Sequence, residues 1–255
     1  MKNASLFLFA VLGLAASSQR SARAAVAAGT STVTVLRFDD EAGKKPLAPL
    51  SVALADMVFN DLAASTGVQV VGQVQSPATA TPDGAPPPPP PKLFAAAAAR
   101  AVGAAYVVTG VIQSIIPSVR ITVRSVRVSD GAVLREETVT GRQDRFGEFQ
   151  VNLVAKVADV LSTVLAPGDA ERIKAAVPAN HPTKFAAVLD YGAGLQARDR
   201  GDYEGAVAHL KKAIDKEPAF TLGRSRLNDV VRALFHIRHS PSLPITKPAK
   251  RTVGP

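Results

Sequence analysis

Residues 73–92 form a proline-rich stretch that neither a helix nor a strand can contain. Pro77, Pro82 and the run Pro86–Pro91 lack a backbone N–H donor, and their fixed φ favours polyproline II. The residues on both sides of this stretch carry the apolar periodicities of strands and helices. The sequence therefore predicts one domain over residues 31–166, with an exposed loop inserted at 73–92.

The pattern around this loop predicts a mixed sheet with packed helices. Strands are expected where β-branched residues cluster or alternate with polar ones; they cover residues 31–38, 68–71, 104–116, 119–128 and 133–139. Helices are expected where apolar residues recur every three or four positions; they run from Leu47 to Gly67, over 92–101 and from about Arg145 to Leu165. The predicted fold class is α/β (α+β) with a mixed five-stranded sheet.

The last two strands are expected to form a hairpin around the turn Ser129-Asp130-Gly131. The apolar register changes after Arg124, which predicts a β-bulge near Arg124–Ser125. Four arginines occupy this predicted hairpin, at positions 120, 124, 127 and 135. They either line a face for an acidic partner or pair across strands with Glu136 and Glu137, and we favour the cross-strand pairs.

Residues 1–24 have the layout of a cleavable secretory signal peptide. A positively charged start, Met1-Lys2-Asn3, precedes an uncharged apolar run over 4–16, which is shorter than the about 20 residues that span a bilayer. Small residues at Ala22-x-Ala24 and Ala25-x-Ala27 fit the cleavage pattern, whereas an anchor or a buried helix is the alternative. With no cysteine, the chain has neither disulfides nor a cysteine-linked lipid. We therefore expect a periplasmic, unlipidated protein, with outer-membrane association as a further interpretation.

The formal net charge of +9 is unevenly distributed. Residues 25–221 contain equal numbers of acidic and basic side chains, whereas residues 222–255 contain seven basic side chains and one acid. A neutral body argues against nucleic acid as a partner, because such domains carry a basic patch on the fold. The tail at 240–255 is expected to be disordered and to contact anionic lipid, lipopolysaccharide or an acidic partner weakly; a tail that only aids solubility is the alternative.

Residues 183–236 match the spacing of one tetratricopeptide-like repeat in a small all-α segment. Small residues are expected where two helices cross, a glycine in the turn, larger residues in the groove and a proline after the second helix. The seven repeat-packing positions are Gly194, Gly201, Tyr203, Ala206, Leu210, Ala213 and Pro218. One repeat cannot bury its own core, so this segment is expected to dock on the first domain, on a second copy or on a partner.

The sequence shows no set of side chains typical of catalysis or metal binding. His236 and His239 are three residues apart but have no carboxylate near them in the sequence that could complete a metal site. The acidic run at 39–41 has no second cluster with which to perform acid–base chemistry. We expect no catalytic residue, no cofactor and no metal, and hence no enzyme.

Three segments resemble the TolB amino-terminal-like superfamily, whose relatives include curli-secretion channel subunits and flagellar O proteins. The segments are VTVLRFD at 33–39, GAAYVVTG at 103–110 and ITVRSVRVSDG at 121–131. The resemblance spans about residues 31–165 and implies a protein that binds and assembles without catalysing. Pore formation is not expected, because the chain lacks the lipid-bearing cysteine of the curli subunits and an obvious membrane-inserting hairpin.

These observations indicate a non-enzymatic, exported cell-envelope assembly or scaffold protein. Its partners are expected to be envelope proteins that bind the tetratricopeptide-like segment, and self-association is a further interpretation. The alternatives are a ring-forming subunit of a curli-type secretion or outer-membrane complex, and an activator of a cell-wall synthase.

Overall fold

The computed structural model describes residues 31–40, 48–65, 68–72, 99–114, 116, 118–176 and 181–239. The predicted signal peptide, the proline-rich loop and the basic tail lie outside the described residues. The predicted helix over 92–101 is described at residues 99–101 only, and these are helical.

A six-stranded mixed sheet forms the centre of the fold, in the order β3-β1-β4-β5-β6, with β2 beside β4. The strands are β1 (Thr32–Val35), β2 (Asp39–Asp40), β3 (Gln69–Val70), β4 (Tyr106–Ser114), β5 (Val119–Arg127) and β6 (Val133–Gly141). Strand β1 pairs in parallel with β3 and β4, and β2 pairs in parallel with β4. Strands β4, β5 and β6 form an antiparallel meander. The predicted α+β class with a mixed sheet is confirmed.

The predicted count of five strands is wrong, because Asp39 and Asp40 form a strand where the sequence indicated a closing turn. Both β1 and β2 pair with β4: Val35 lies opposite Val108, and Asp39 lies opposite Val111. The segment from Val35 to Asp39 therefore has one more residue than the segment of β4 from Val108 to Val111. This extra residue lies beside a close contact, in which the ring of Phe38 occupies the space that a side chain at position 110 would fill. A two-residue strand is too short for its alternation to show in a sequence.

The predicted bulge in the hairpin is confirmed. The register of β5 against β6 shifts between Ser125, which lies opposite Arg135, and Val126, which lies opposite Val133. Successive residues of a strand point to opposite faces, so Arg124 and Arg135 lie on different sides of the sheet. Arg124 pairs with Glu136. The arginines of the hairpin therefore do not form one common face. The expected cross-strand pairing holds for Arg124, whereas Glu137 binds Arg135 of its own strand and Arg127 pairs with Asp130 in the turn.

The described part of the chain contains six helices of seven or more residues, of which the first two pack on the sheet and the last three pack on the first helix and on one another. They are α1 (Ala48–Ala64), α2 (Phe146–Leu161), α3 (Asp169–Ala175), α4 (Phe185–Asp199), α5 (Tyr203–Lys216) and α6 (Thr221–His239). Helix α1 was expected to be amphipathic, yet every residue from Leu50 to Val58 is buried. A helix buried on all sides needs covering on its outer face as well, and α4 provides it. No helix among the described residues is long and apolar enough to cross a membrane.

One hydrophobic core connects the sheet to the helical segment. It includes Leu54 of α1 and Val123 of β5 together with Tyr191 of α4 and Leu210 of α5. Of the three predicted docking modes, the structure thus shows packing on the first domain. A smaller cluster, which includes Leu36, Val107 and Val126, covers part of the opposite face of the sheet.

Candidate functional site

The predicted repeat positions lie in a helical hairpin formed by α4 and α5. A Cβ atom on Gly194 would lie 2.7 Å from Cγ of Leu210 and 3.3 Å from the carbonyl oxygen of Ala206. Leu210, Ala206 and Ala213 are fully buried. The small residues therefore permit the two helices to approach closely at this crossing.

The turn of the hairpin contains the second group of predicted positions. Gly201 has φ +79°, a left-handed conformation that glycine adopts without a Cβ penalty. Asp202 then caps α5, because its Oδ1 atom accepts a hydrogen bond of 2.8 Å from the backbone N–H of Gly205. Tyr203 is the first residue of α5, and Pro218 follows the end of that helix. The assignment of this hairpin to a tetratricopeptide-like repeat stays a prediction.

Helix α4 approaches the backbone of α1 closely at Gly192. A Cβ atom at this position would lie 1.8 Å from the carbonyl oxygen of Pro49 in α1. A backbone carbonyl in a buried helix cannot move aside as a flexible side chain can. Glycine is therefore required for α4 to lie on α1 at this distance, a requirement that no local sequence pattern indicated.

A buried polar cluster joins the two parts beside this contact. Arg226 of α6 binds Asp56 of α1 through both carboxylate oxygens, with Nη2–Oδ1 at 3.0 Å and Nε–Oδ2 at 3.2 Å. The hydroxyl of Tyr191 donates to the same carboxylate. Asp56 and Tyr191 are at most 1 % exposed. The cluster therefore ties α1, α4 and α6 together at one point.

The electrostatics of this cluster indicate a structural role. Burial, and then the charge of Asp56, raise the pKa of Tyr191 well above its ordinary value. Burial lowers the pKa of Arg226, but the charges and hydrogen bonds of Asp56 and Tyr191 together outweigh it, and the pKa is raised. At neutral pH the phenol thus stays neutral and the guanidinium charged, so neither group is suited to proton transfer. A lone acid within the apolar run Val52–Val58 was the only sequence signal for the cluster.

A second buried polar group lies where the chain enters α4. The Nε2 atom of His181 is 3.1 Å from Oδ1 of Asp61, and the His181 side chain is only 9 % exposed. Burial raises the pKa of Asp61, against the opposing effect of His181. Within the described ranges, the Gln150 amide and Oδ2 of Asp61 have no hydrogen-bond partner. Among those residues, no three His, Cys, Asp or Glu side chains lie close enough to hold a metal ion.

The last turns of α6 present an exposed surface, which we call the α6 end (residues 231–239). Val231, Phe235 and Ile237 are 46 %, 58 % and 56 % exposed, whereas Val230 is buried against the core. The ring of His239 stacks on Phe235 with centroids 4.0 Å apart. One helix is thus anchored at Arg226 and Val230 and bears exposed apolar side chains one to two turns further on.

Comparison with known proteins gave similarities to solved structures only. No family model matches the chain, and no curated protein matches it. The PelC dodecamer from Paraburkholderia phytofirmans is 24 % identical over 56 % of this chain and 91 % of that one, with a TM-score of 0.35. TolB from Acinetobacter baumannii is 17 % identical over 54 % of this chain and 30 % of that one, with a TM-score of 0.34. The LpoB C-terminal domain from Salmonella enterica is 17 % identical over 48 % and 90 %, with a TM-score of 0.34.

Proposed function

We propose that this protein is a non-enzymatic, exported cell-envelope scaffold that binds another protein through its helical segment. The observation that carries the proposal is the contrast along α6. Arg226 is bound to Asp56 in the core, and the α6 end leaves Phe235 exposed in the same helix. A rigidly held helix with an apolar exposed end is suited to docking, because little conformational entropy is lost when a partner binds.

The chemistry of the described residues supports a binding role. The two buried polar groups around Asp56 and Asp61 are enclosed by helices, and the pKa shifts of Asp61, Tyr191 and Arg226 follow from burial and pairing. A catalytic acid or base needs access to a substrate. The enclosed clusters therefore stabilise the arrangement of the helices on the sheet.

Binding through the α6 end is tested with the full chain in its own envelope. Phe235→Ser removes the most exposed apolar side chain of this surface, and Val151→Ser, on α2 and 46 % exposed, is the matched control. Crosslinking followed by purification of the tagged chain is expected to recover a partner with wild type and Val151→Ser. Phe235→Ser is expected to lose it while its circular dichroism spectrum is unchanged. Recovery of the same partner with Phe235→Ser would show the proposal to be wrong.

Export is tested by the mass of the protein recovered from cell fractions. The sequence over 1–24 favours removal of this segment after Ala24, or after Ala27 at the second small-residue site. The expected result is a shortened chain in the periplasmic fraction. A chain that retains residues 1–24 in the cytoplasmic fraction contradicts export.

A further inference from the structure

The contact between the helical segment and α1 encloses two carboxylates but one guanidinium group. Asp56 and Asp61 of α1 are at most 5 % exposed. Arg226 binds Asp56 through both carboxylate oxygens. Among the described residues, Asp61 forms no ion pair with a lysine or an arginine, and its ion-pair partner is His181. The interface therefore lacks one positive charge when His181 is neutral.

The polar group around Asp61 contains one side chain that can supply this charge. Gln150 of α2 is fully buried and neutral. Burial, and in smaller part the charge of Asp56, raise the pKa of Asp61, because a buried carboxylate without a cation is unfavourable. Imidazole is the side chain whose ordinary titration falls between about pH 5 and 8. A proton on His181 thus converts its contact with Asp61 into an ion pair.

The geometry of this contact favours the protonated form. The Nε2 atom of His181 is 3.1 Å from Oδ1 of Asp61, but it makes no aligned hydrogen bond within the described ranges. A neutral imidazole gains little from such a contact, because a hydrogen bond weakens steeply when its angle is poor. An imidazolium charge attracts the carboxylate at this distance whatever the angle, and more strongly in a buried site than in water.

The other charged groups near the entry to α4 are engaged elsewhere. The carboxylate of Glu217, which follows α5, accepts hydrogen bonds from the backbone N–H groups of Thr183 at 3.2 Å and Lys184 at 3.3 Å. The ammonium group of Lys184 donates to the carbonyl oxygen of Lys216 at 2.7 Å. These contacts hold the entry to α4 on the end of α5, whereas His181 holds it on α1.

From this charge count and geometry, we infer that the pair of His181 and Asp61 is a pH-sensitive contact, which binds one proton and then holds the entry of the helical segment on α1. When the proton is lost, a carboxylate stays buried beside a neutral ring, and the start of α4 is held less firmly. The inference concerns the joint between the two parts of the chain and does not depend on the proposed function.

The direction of the pH effect follows from the count of protons. A proton that the folded chain holds and the unfolded chain releases stabilises the folded chain at low pH, and this stabilisation is lost as the pH rises. One such proton changes the unfolding equilibrium constant by at most about tenfold per pH unit. Because two side chains share the proton, the pH at which it leaves is a property of the pair.

The first test is urea unfolding of the full mature chain from about pH 5 to 8, the range in which imidazole ordinarily titrates. His181→Gln keeps a polar side chain that does not titrate. His209→Gln on α5 is the matched control, because His209 is half-buried and has no paired carboxylate in the described part of the chain. Wild type and His209→Gln are expected to lose stability as the pH rises, by several-fold in the unfolding constant per pH unit, and His181→Gln is expected to lose less.

The second test needs no variant. Amide hydrogen exchange in α4 of the wild-type protein is corrected for the intrinsic effect of pH on exchange. It is then expected to be several-fold faster at about pH 8 than at about pH 6, because the start of this helix opens more often once the proton has left.

Two outcomes would overturn the inference. The first is a pH dependence of unfolding in His181→Gln equal to that of wild type; if Asp61→Asn alone abolished it, the proton would lie on the Asp61 carboxyl group. The second is corrected exchange in α4 that is the same at both pH values. Loss of the pH dependence in both variants, with His209→Gln unaffected, agrees with a shared proton. None of these outcomes involves capture of a partner by the α6 end, so failure here is distinct from failure of the proposed function.

Discussion

Replacement of Gly192 by alanine tests whether the helical segment and the sheet domain depend on one close contact. The new methyl carbon would lie 1.8 Å from the carbonyl oxygen of Pro49, where ordinary contact begins at 3.4 Å. Because α1 is buried on all sides, it has no free space to move into. Helix α4 must therefore move outward by about 1.5 Å to restore a normal separation.

The cost follows from the contacts that this movement opens. A gap of even ~1 Å removes up to about half of the dispersion attraction between packed side chains. The same movement lengthens the hydrogen bond from Tyr191 to Asp56, which joins α4 to α1. Overpacking of this kind lowers the free energy of unfolding by about 3 kcal/mol, and the better helix propensity of alanine raises it by up to ~1 kcal/mol. We therefore expect the free energy of unfolding to fall by about 2–3 kcal/mol.

The measurement is urea unfolding of the full mature chain, followed by far-ultraviolet circular dichroism. Gly147→Ala in α2 is the control, because its Cβ atom would lie 3.4 Å from Cγ2 of Thr183, an ordinary contact. That variant is expected to be neutral or slightly stabilised. A Gly192→Ala protein whose free energy of unfolding lies within about 0.5 kcal/mol of wild type would refute the close packing of α4 on α1.

Three further changes test the polar groups, each by urea unfolding. Arg226→Met leaves Asp56 buried without its cation and is expected to lower the free energy of unfolding by about 3 kcal/mol. The double variant with Asp56→Leu should recover much of this loss, and additive losses would contradict the pairing. Asp202→Ala removes the cap of α5 and is expected to lower the free energy of unfolding by about 1 kcal/mol. An unchanged midpoint of urea unfolding would argue against the cap. Burial raises the pKa of Asp61 in the folded chain, so stability should fall as pH rises from the ordinary aspartate value through the raised one. Asp61→Asn should abolish this fall and stabilise the protein at neutral pH, and an unaltered pH profile would be the contrary result.

The features that could be predicted from the sequence are those set by neighbouring residues. The bulge at Ser125 is visible as a change of apolar register, and the hairpin between β5 and β6 follows from alternation around Gly131. The fold class follows from the order of such segments. Each of these signals lies within a few residues of the element that it predicts.

The features that could not be predicted depend on distant parts of the chain. Arg226 and Asp56 are 170 residues apart, and neither belongs to a recognisable motif. His181 lies between the two predicted segments, 31–166 and 183–236, where the sequence predicts no element, but its side chain is enclosed beside Asp61 of α1. The burial of every residue from Leu50 to Val58 in α1 was missed for the same reason, because α4, far along the chain, covers the outer face of this helix. A pattern within one helix shows which residues are apolar but not how many neighbours the helix has.

The central position of α1 has a consequence for the time course of biosynthesis. The ribosome completes α1 long before it makes α4, and at about 5–20 residues per second the 135 residues between Asp56 and Tyr191 take roughly 7–27 s. During that interval the outer face of α1, with the carboxylate of Asp56 in its middle, has no covering helix. The nascent chain therefore exposes an apolar surface that a chaperone can bind, and synthesis of α4 is needed to remove that surface from reach.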